Sequence, residues 1–264
     1  MNDQQYFEKV KSYKLLANKS LGQNFLINPE TAKNIVDLLE IKPEDNVLEI
    51  GSGLGSLSYF IVKNDASIEL IDIDERMLNF LEEQFGKNKN VSIRRQNILK
   101  QDLANYDKII GNLPYYITSS IIEHILLTGK SASKIVLMTQ KEVYPKLLKD
   151  FKSPLSMFLN YVSTISPCIS VGRNNFAPIP HVDSVVFSLT PNENIKNIEN
   201  KKLFKLINQL FLLRRKNILN NLANVTKDKQ KALQILNKMG INTNLRPEQL
   251  DIQFYIELLN ELKL

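Results

Sequence analysis

Asn46-Val47-Leu48-Glu49-Ile50-Gly51-Ser52-Gly53-Leu54-Gly55 decides how this chain folds. The first half is an apolar run of strand length, and the second places glycine at every other position before a helical pattern opens at Leu54. Alternating glycines let a backbone turn tightly and approach a bound molecule closely. Between a parallel strand and a helix, such a turn lies in the crevice at the carboxyl ends of the strands, where open α/β sheets bind ligands. The spacing is not that of a dinucleotide fingerprint. G-x-G-x-x-G would require a third glycine at the position held by Ser56.

Outward from this turn, strand and helix patterns alternate. Strands are predicted at Asn46–Ile50, Ser67–Ile71, Val91–Arg94, Lys108–Gly111, Lys134–Thr139, Ser163–Val171 and Ser184–Leu189. Helices are predicted at Pro29–Leu39, Leu54–Lys63, Glu75–Phe85, Ile117–Leu127 and Glu142–Lys149, the first opened by Asn28 as N-cap and Pro29 at the first helical position. This alternation implies an α/β domain over residues 1–190, a parallel sheet with helices on both faces. The polar stretch Pro191–Asn200 reads as a linker. Beyond it the apolar period is helical, with Leu203, Leu206, Ile207, Leu210 and Phe211 in one stripe, so residues 191–264 read as a small all-α domain of about four helices. Arg246-Pro247-Glu248 marks the start of the last helix.

Composition excludes several classes. The single cysteine, Cys168, rules out an internal disulfide, and with only His124 and His181 beside it a zinc site of Cys and His is not expected. No metal is expected. No window approaches the length of a membrane span, and no apolar signal segment follows the polar start, so a soluble, cytoplasmic protein is expected. Of the net charge of +6, nearly all lies in the last third: 13 Lys and Arg against 8 Asp and Glu from His181 onward, 21 against 20 before it. That asymmetry suits an anionic partner such as nucleic acid.

The chemistry concentrates at predicted strand ends. Asp72 closes the second strand, 21 residues after Gly51, where a carboxylate can accept both hydroxyls of a ribose. Asp74 reads as the N-cap of the next helix. Asn97 follows the third strand, within reach of an adenine edge. Asn112-Leu113-Pro114-Tyr115 follows the fourth. The Asn112 side-chain oxygen and the Leu113 carbonyl can both accept from an exocyclic amino group, Pro114 holds them aimed, and Tyr115 offers a ring face for a base. An adenosine pocket from Gly51, Gly53, Gly55, Asp72 and Asn97 beside an amino-group acceptor points to S-adenosylmethionine.

Five blocks, in order and along nearly the full length, resemble the small-subunit (16S) rRNA adenine N6,N6-dimethyltransferase family of the KsgA/RsmA type. They are Lys19–Leu26, the Glu49–Gly55 turn, Asn112–Tyr115, Phe176-Ala177-Pro178-Ile179-Pro180-His181-Val182-Asp183-Ser184, and Phe211-Leu212-Leu213-Arg214-Arg215-Lys216-Asn217-Ile218-Leu219-Asn220. The resemblance implies a Rossmann-like S-adenosylmethionine-dependent methyltransferase sheet with a small all-α C-terminal domain for rRNA recognition. It implies cofactor binding by Asn24, Leu26, Glu49, Gly51, Gly53, Asp72, Asn97 and Asn112, and catalysis by Asn112, Leu113, Pro114 and Tyr115. Tyr115 and Phe176 would stack the target base, and Arg214, Arg215 and Lys216, side by side on a helix, would contact RNA phosphate. A monomer acting on two adjacent adenosines in the 3′-terminal hairpin of 16S rRNA is implied. Two departures stand out: Asn97 where the family usually has Asp, and Tyr116 where it usually has a second Asn. Alternatives are an Erm-type 23S rRNA methyltransferase and a non-catalytic ribosome assembly factor on the same scaffold.

Overall fold

The computed structural model of the chain describes residues 1–13, 17–18 and 22–263. Lys19, Ser20 and Leu21 of the first resemblance block lie outside the described residues. The chain forms two compact units. The first comprises Met1–Pro145 and Ser163–Asn192, the second Lys146–Val162 and Glu193–Leu264. The segment 146–162, which the sequence pattern assigns to the α/β part, thus belongs with the C-terminal helices.

The first unit is built on a seven-stranded sheet. Its strands are β2 (Asn46–Ile50), β3 (Ser67–Asp72), β4 (Val91–Arg95), β5 (Lys108–Asn112), β6 (Lys134–Gln140), β7 (Ser163–Val171) and β9 (Ser184–Pro191), in the order β4-β3-β2-β5-β6-β9-β7. From β4 through β6 neighbours are parallel; β9 pairs antiparallel with both β6 and β7. The all-parallel expectation is therefore corrected to a mixed sheet, because apolar runs show that strands are buried but not which way they run. Central strands are almost wholly buried, whereas β4, at the edge, exposes Arg94 and Arg95, charges that discourage pairing with another chain. A second, two-stranded sheet pairs β1 (Phe25–Leu26) with β8 (Phe176–Ala177), Phe25 opposite Ala177 and Leu26 opposite Phe176.

Helices α2 (Pro29–Asp37), α4 (Glu75–Phe85) and α5 (Thr118–Thr128) lie close to their predicted places. Asn28 caps α2 through Thr31 N, and Asp74 caps α4 through Arg76 N. Two predicted helices are corrected. Over Leu54–Lys63 only α3 (Ser58–Ile61) is regular helix, since Gly55 sits at φ +71° in a conformation no right-handed helix allows. Over Glu142–Lys149 the chain makes short 3-10 turns, Tyr144–Leu147 and one that begins at Lys149, because Pro145 disrupts helix at its own position and the one before.

An unexpected helix, α1 (Asp3–Ser12), opens the chain. A capping box starts it: Gln5 N donates to the Asn2 side chain at 2.9 Å, and Asn2 N to Gln5 Oε1 at 3.1 Å. Its Tyr6, Phe7 and Val10 are buried, each worth roughly 1.5–3 kcal/mol of apolar burial.

The second unit holds α6 (Pro154–Val162), also missed, with α7 (Asn200–Phe211), α8 (Ile218–Thr226), α9 (Lys229–Lys238) and α10 (Ile252–Leu262). The α7 stripe is buried as expected, and Phe204 packs on Phe158 of α6 with ring centres 5.0 Å apart. The expected linker is instead ordered, with a 3-10 turn at Glu193–Lys196 and Ile195 and Asn200 buried. Arg246-Pro247-Glu248 enters another 3-10 turn, and α10 starts later, capped by Asp251. Among the described residues, no helix is long and apolar enough to cross a membrane.

Candidate active site

The sheet's winding reverses at β2, which has β3 on one side and β5 on the other. The residues picked out from the sequence therefore leave adjacent parallel strands at the same end. After β2, Gly51 N and Ser52 N donate to the Ile71 carbonyl at 2.9 and 3.0 Å, which stitches the glycine turn to β3. Gly51 has φ +66°, and a Cβ there would meet nothing nearer than the Asn112 carbonyl at 3.9 Å, so the space before it is free for a ligand. Gly55 has a different task. Its Cβ would lie 2.7 Å from both Phe85 and the Tyr6 hydroxyl, so it is glycine for packing, and it does not line the cavity with Gly51 and Gly53.

That cavity measures about 310 Å³, at the lower end of small-molecule sites. Apart from Gly55, the residues expected to hold the cofactor line it, from Asn24 and Leu26 to Asn97 and Asn112, as do Leu113 and Pro114. Tyr116, 60% exposed, borders it too. Asp72 accepts from Gly53 N and Asp74 N, both at 2.9 Å. Burial raises its pKa, and these backbone donors oppose the rise. Each oxygen keeps a lone pair for a hydroxyl.

Glu49 lies deeper, 2% exposed, with Ser58 Oγ donating to its carboxyl at 2.5 Å. Burial pushes its pKa up to about 8, against the Ser58 bond, and the charge of Asp72 adds to the rise. A positive charge bound in the adjoining cavity would favour its ionised form. Asn97 turns its oxygen to Leu99 N at 3.0 Å, capping a 3-10 turn and leaving its –NH2 as the uncommitted group.

Asn112 is the best-oriented polar group of the site. Its Nδ2 donates to the Asn24 carbonyl at 3.2 Å, which decides the sense of the amide and leaves Oδ1 as the acceptor. Leu113 N is held by the Met138 carbonyl at 3.0 Å, and the Pro114 carbonyl takes Ile117 N and Thr118 Oγ1. The backbone between them is thereby fixed, and no hydrogen bond to the Leu113 carbonyl is formed among the described residues. Tyr115 opens the 3-10 turn that follows.

Two expectations need amendment. Phe176 is 1% exposed, inside the apolar core and off the cavity wall, with no free ring face for a base. Arg214, Arg215 and Lys216 are exposed in the turn between α7 and α8, not on a helix. Cys168 is exposed beside a bulge in β7. His181 lies in an exposed loop, and Asp183 is occupied by Arg173 N at 2.9 Å. Sequence reasoning missed Tyr6, whose buried hydroxyl donates to the Leu54 and Gly55 carbonyls at 2.9 and 3.2 Å and so braces the glycine turn from below. It also missed Ser58 as the partner of Glu49. Among the described residues no cluster of His, Cys, Asp and Glu could hold a metal ion.

The donor set, two carboxylates, a glycine cradle and an amide acceptor, fits an adenosyl group carrying a cation. Comparison with known proteins agrees. The family model described as "Ribosomal RNA adenine dimethylase" matches residues 14–263. The Ribosomal RNA small subunit methyltransferase A of Mycoplasma mycoides subsp. mycoides is 38% identical, covering 92% of this chain and 97% of its own. That of Pediococcus pentosaceus is 34% identical, over 97% and 93%. The crystal structure of a dimethyladenosine transferase from Plasmodium falciparum superposes with TM-score 0.74 at 25% identity, covering 89% of this chain and 96% of that one. With that site at the head of its sheet and a match spanning residues 14–263, the chain belongs to the ribosomal RNA adenine dimethylase family.

Proposed function

We propose that this chain dimethylates N6 of two adjacent adenosines in the 3′-terminal hairpin loop of 16S rRNA, using S-adenosylmethionine, during small-subunit assembly. The observation that supports it most is the orientation of Asn112, whose amide is turned by the Asn24 carbonyl so that an acceptor faces the cofactor cavity. When bound, S-adenosylmethionine supplies an electrophilic methyl on a sulfonium centre. The Asp72 carboxylate would hold the ribose, Asn97 and Leu99 would flank the adenine, and Glu49 and the Gly51 turn would face the methionine end.

The chain's own contribution to the reaction is orientation. An adenine amino group is a weak nucleophile because its lone pair is delocalised into the ring. Asn112 Oδ1 and the Leu113 carbonyl accept its two N–H bonds, favouring a more tetrahedral nitrogen with its pair directed away from them. Aligning reactants in this way accounts for roughly 7–11 kcal/mol of a barrier. The target adenosine is flipped out of a single-stranded loop, where unstacking is cheapest, and Tyr115 stacks it. Once the new N–C bond makes N6 cationic it sheds one proton to solvent water, while Asn112 Oδ1 holds the hydrogen that remains. The enzyme acts as a monomer in the cytoplasm, where its rRNA substrate is assembled.

The test is mass spectrometry of rRNA from cells lacking the protein, together with methylation of purified 30S particles against naked 23S rRNA fragments. The expected result is loss of dimethyladenosine from the 3′ end of 16S rRNA and activity on 30S particles only. Activity on 23S fragments alone would refute the assignment.

A further inference from the structure

We infer that Asn221 is a positioning residue whose buried amide folds the turn between α7 and α8 into a ready-made platform, presenting Arg214, Arg215 and Lys216 to an RNA phosphate backbone. The inference rests on the RNA-directed function proposed above and names the part of the second unit that grips the RNA.

An asparagine inside a helix ordinarily turns to solvent or competes with the helix for its own backbone. Asn221, in α8, is 0% exposed and bonds the carbonyl four residues back, but most of its amide's contacts lie outside the helix. Its Oδ1 accepts from Leu213 N at 3.2 Å, and the two hydrogens of its Nδ2 are shared among the carbonyls of Leu213 at 3.2 Å, Lys216 at 3.2 Å and Asn217 at 3.1 Å. Three of these four contacts reach the turn, and the fourth reaches the residue that caps α8. A second clasp, Lys216 N to the Leu213 carbonyl at 2.7 Å, closes the turn on itself. A leucine could fill the same space; only an amide can satisfy a donor and several acceptors of the turn together.

The turn that the amide anchors is exposed from Leu212 to Lys216. Leu212 is 70% exposed, Leu213 44%, and Arg214, Arg215 and Lys216 are all exposed. None of the three cations makes a salt bridge among the described residues. Three consecutive cations on a helix would point to different sides. On a clamped turn they share one projecting feature, and a phosphate backbone is the partner that takes consecutive cations without a matching carboxylate pattern. A loop already ordered need not be ordered on binding.

The experiment is a double-mutant cycle on filter binding of an rRNA fragment carrying the small-subunit 3′-terminal hairpin, across a salt series. Replacing Arg214, Arg215 and Lys216 together by alanine should flatten the log–log salt slope by about one per cation. Asn221→Ala should lose about half of that logarithmic affinity alone, and nothing further in the triple-alanine background. Additive losses would show that Asn221 does not act through these cations and would overturn the inference while leaving the RNA assignment intact. A triple variant with wild-type affinity and slope would remove the cations from RNA binding altogether. The wild-type protein gives a check that needs no variant. Amide exchange at Leu213 and Lys216 should be protected without RNA, and exchange at the free-loop rate would overturn the inference.

Discussion

Replacing Asn112 by alanine should abolish most methyl transfer while leaving the fold and the cofactor affinity nearly unchanged. In the protein the side chain's Nδ2 donates to the Asn24 carbonyl at 3.2 Å, a long contact worth about 0.5–1.5 kcal/mol net. Asn112 is only half-buried, so a loss of stability above about 1 kcal/mol is not expected. The acceptor Oδ1 matters far more. Removing one group that is aimed at the reacting centre from a preorganised site costs about 2.7–4 kcal/mol, or 10²–10³ in rate. Asp72 and the Gly51–Gly53 turn are untouched, so S-adenosylmethionine should bind within about threefold of the wild-type affinity. Single-turnover transfer of labelled methyl to 30S particles, with calorimetry of cofactor binding, separates the two effects. A variant with intact cofactor binding and a rate within about tenfold of wild type would refute the acceptor role, since even the lower bound predicts about a hundredfold loss.

Burial of Glu49 predicts a pH dependence. Its pKa rises from the usual 4.5 to about 8 in the fold, so between those values the folded protein keeps a proton that the unfolded chain has released. Stability therefore falls as pH rises through that window, by up to about 1.4 kcal/mol per unit, and Glu49→Gln should remove this share of the slope; urea midpoints near pH 5 and pH 8 without cofactor test it, and an unchanged slope counts against it. Gly55→Ala combines a φ of +71° with a Cβ 2.7 Å from Phe85 and Tyr6, so a loss of about 2–5 kcal/mol is expected in thermal melts, and less than about 1 kcal/mol would contradict the packing argument. Phe176→Ala should destabilise the first unit by about 3–5 kcal/mol, as a fully buried ring does. Normal melting with a weakened grip on the target base would return that ring to a stacking role.

Much of the site was legible because its residues sit at strand ends, and strand ends are where apolar runs meet polar or glycine-rich residues. Asp72 and Asn112 each close such a run, Asn97 lies two residues past the edge strand β4, and the topology brings the three together. Phe176 was misread for the complementary reason: an aromatic in a motif-like block looks the same whether its ring faces a ligand or the core, and only burial decides. Helix α1 carries a readable capping box at Asn2 and Gln5, yet polar Glu8, Lys9 and Lys11 dilute its short apolar face of Tyr6, Phe7 and Val10. α6 was hidden because its apolar residues run directly into β7, so no turn signal separates the two. The antiparallel setting of β9 had no local signal, since the pattern of a buried strand is the same in either direction.

The burial of Phe176 gives its block a mechanical part in the chemistry. Leu26 is opposite Phe176 across the two-stranded sheet, and the next residue, Ile27, donates its N–H to the Asn175 carbonyl at 2.8 Å. From the other side, Ser56 Oγ of the glycine turn donates to the Leu26 carbonyl at 2.7 Å. One residue before this short strand stands Asn24, whose carbonyl sets the sense of the Asn112 amide. A two-residue strand has no stability of its own; here its hold comes from Phe25, Leu26 and Phe176, all buried. Blocks widely separated in sequence therefore meet at Leu26, and the direction in which Asn112 presents its oxygen depends on all of them. Displacing an aligned group by about 1 Å can lose a hundredfold in rate, so residues that never touch the substrate can still set the rate through this tether.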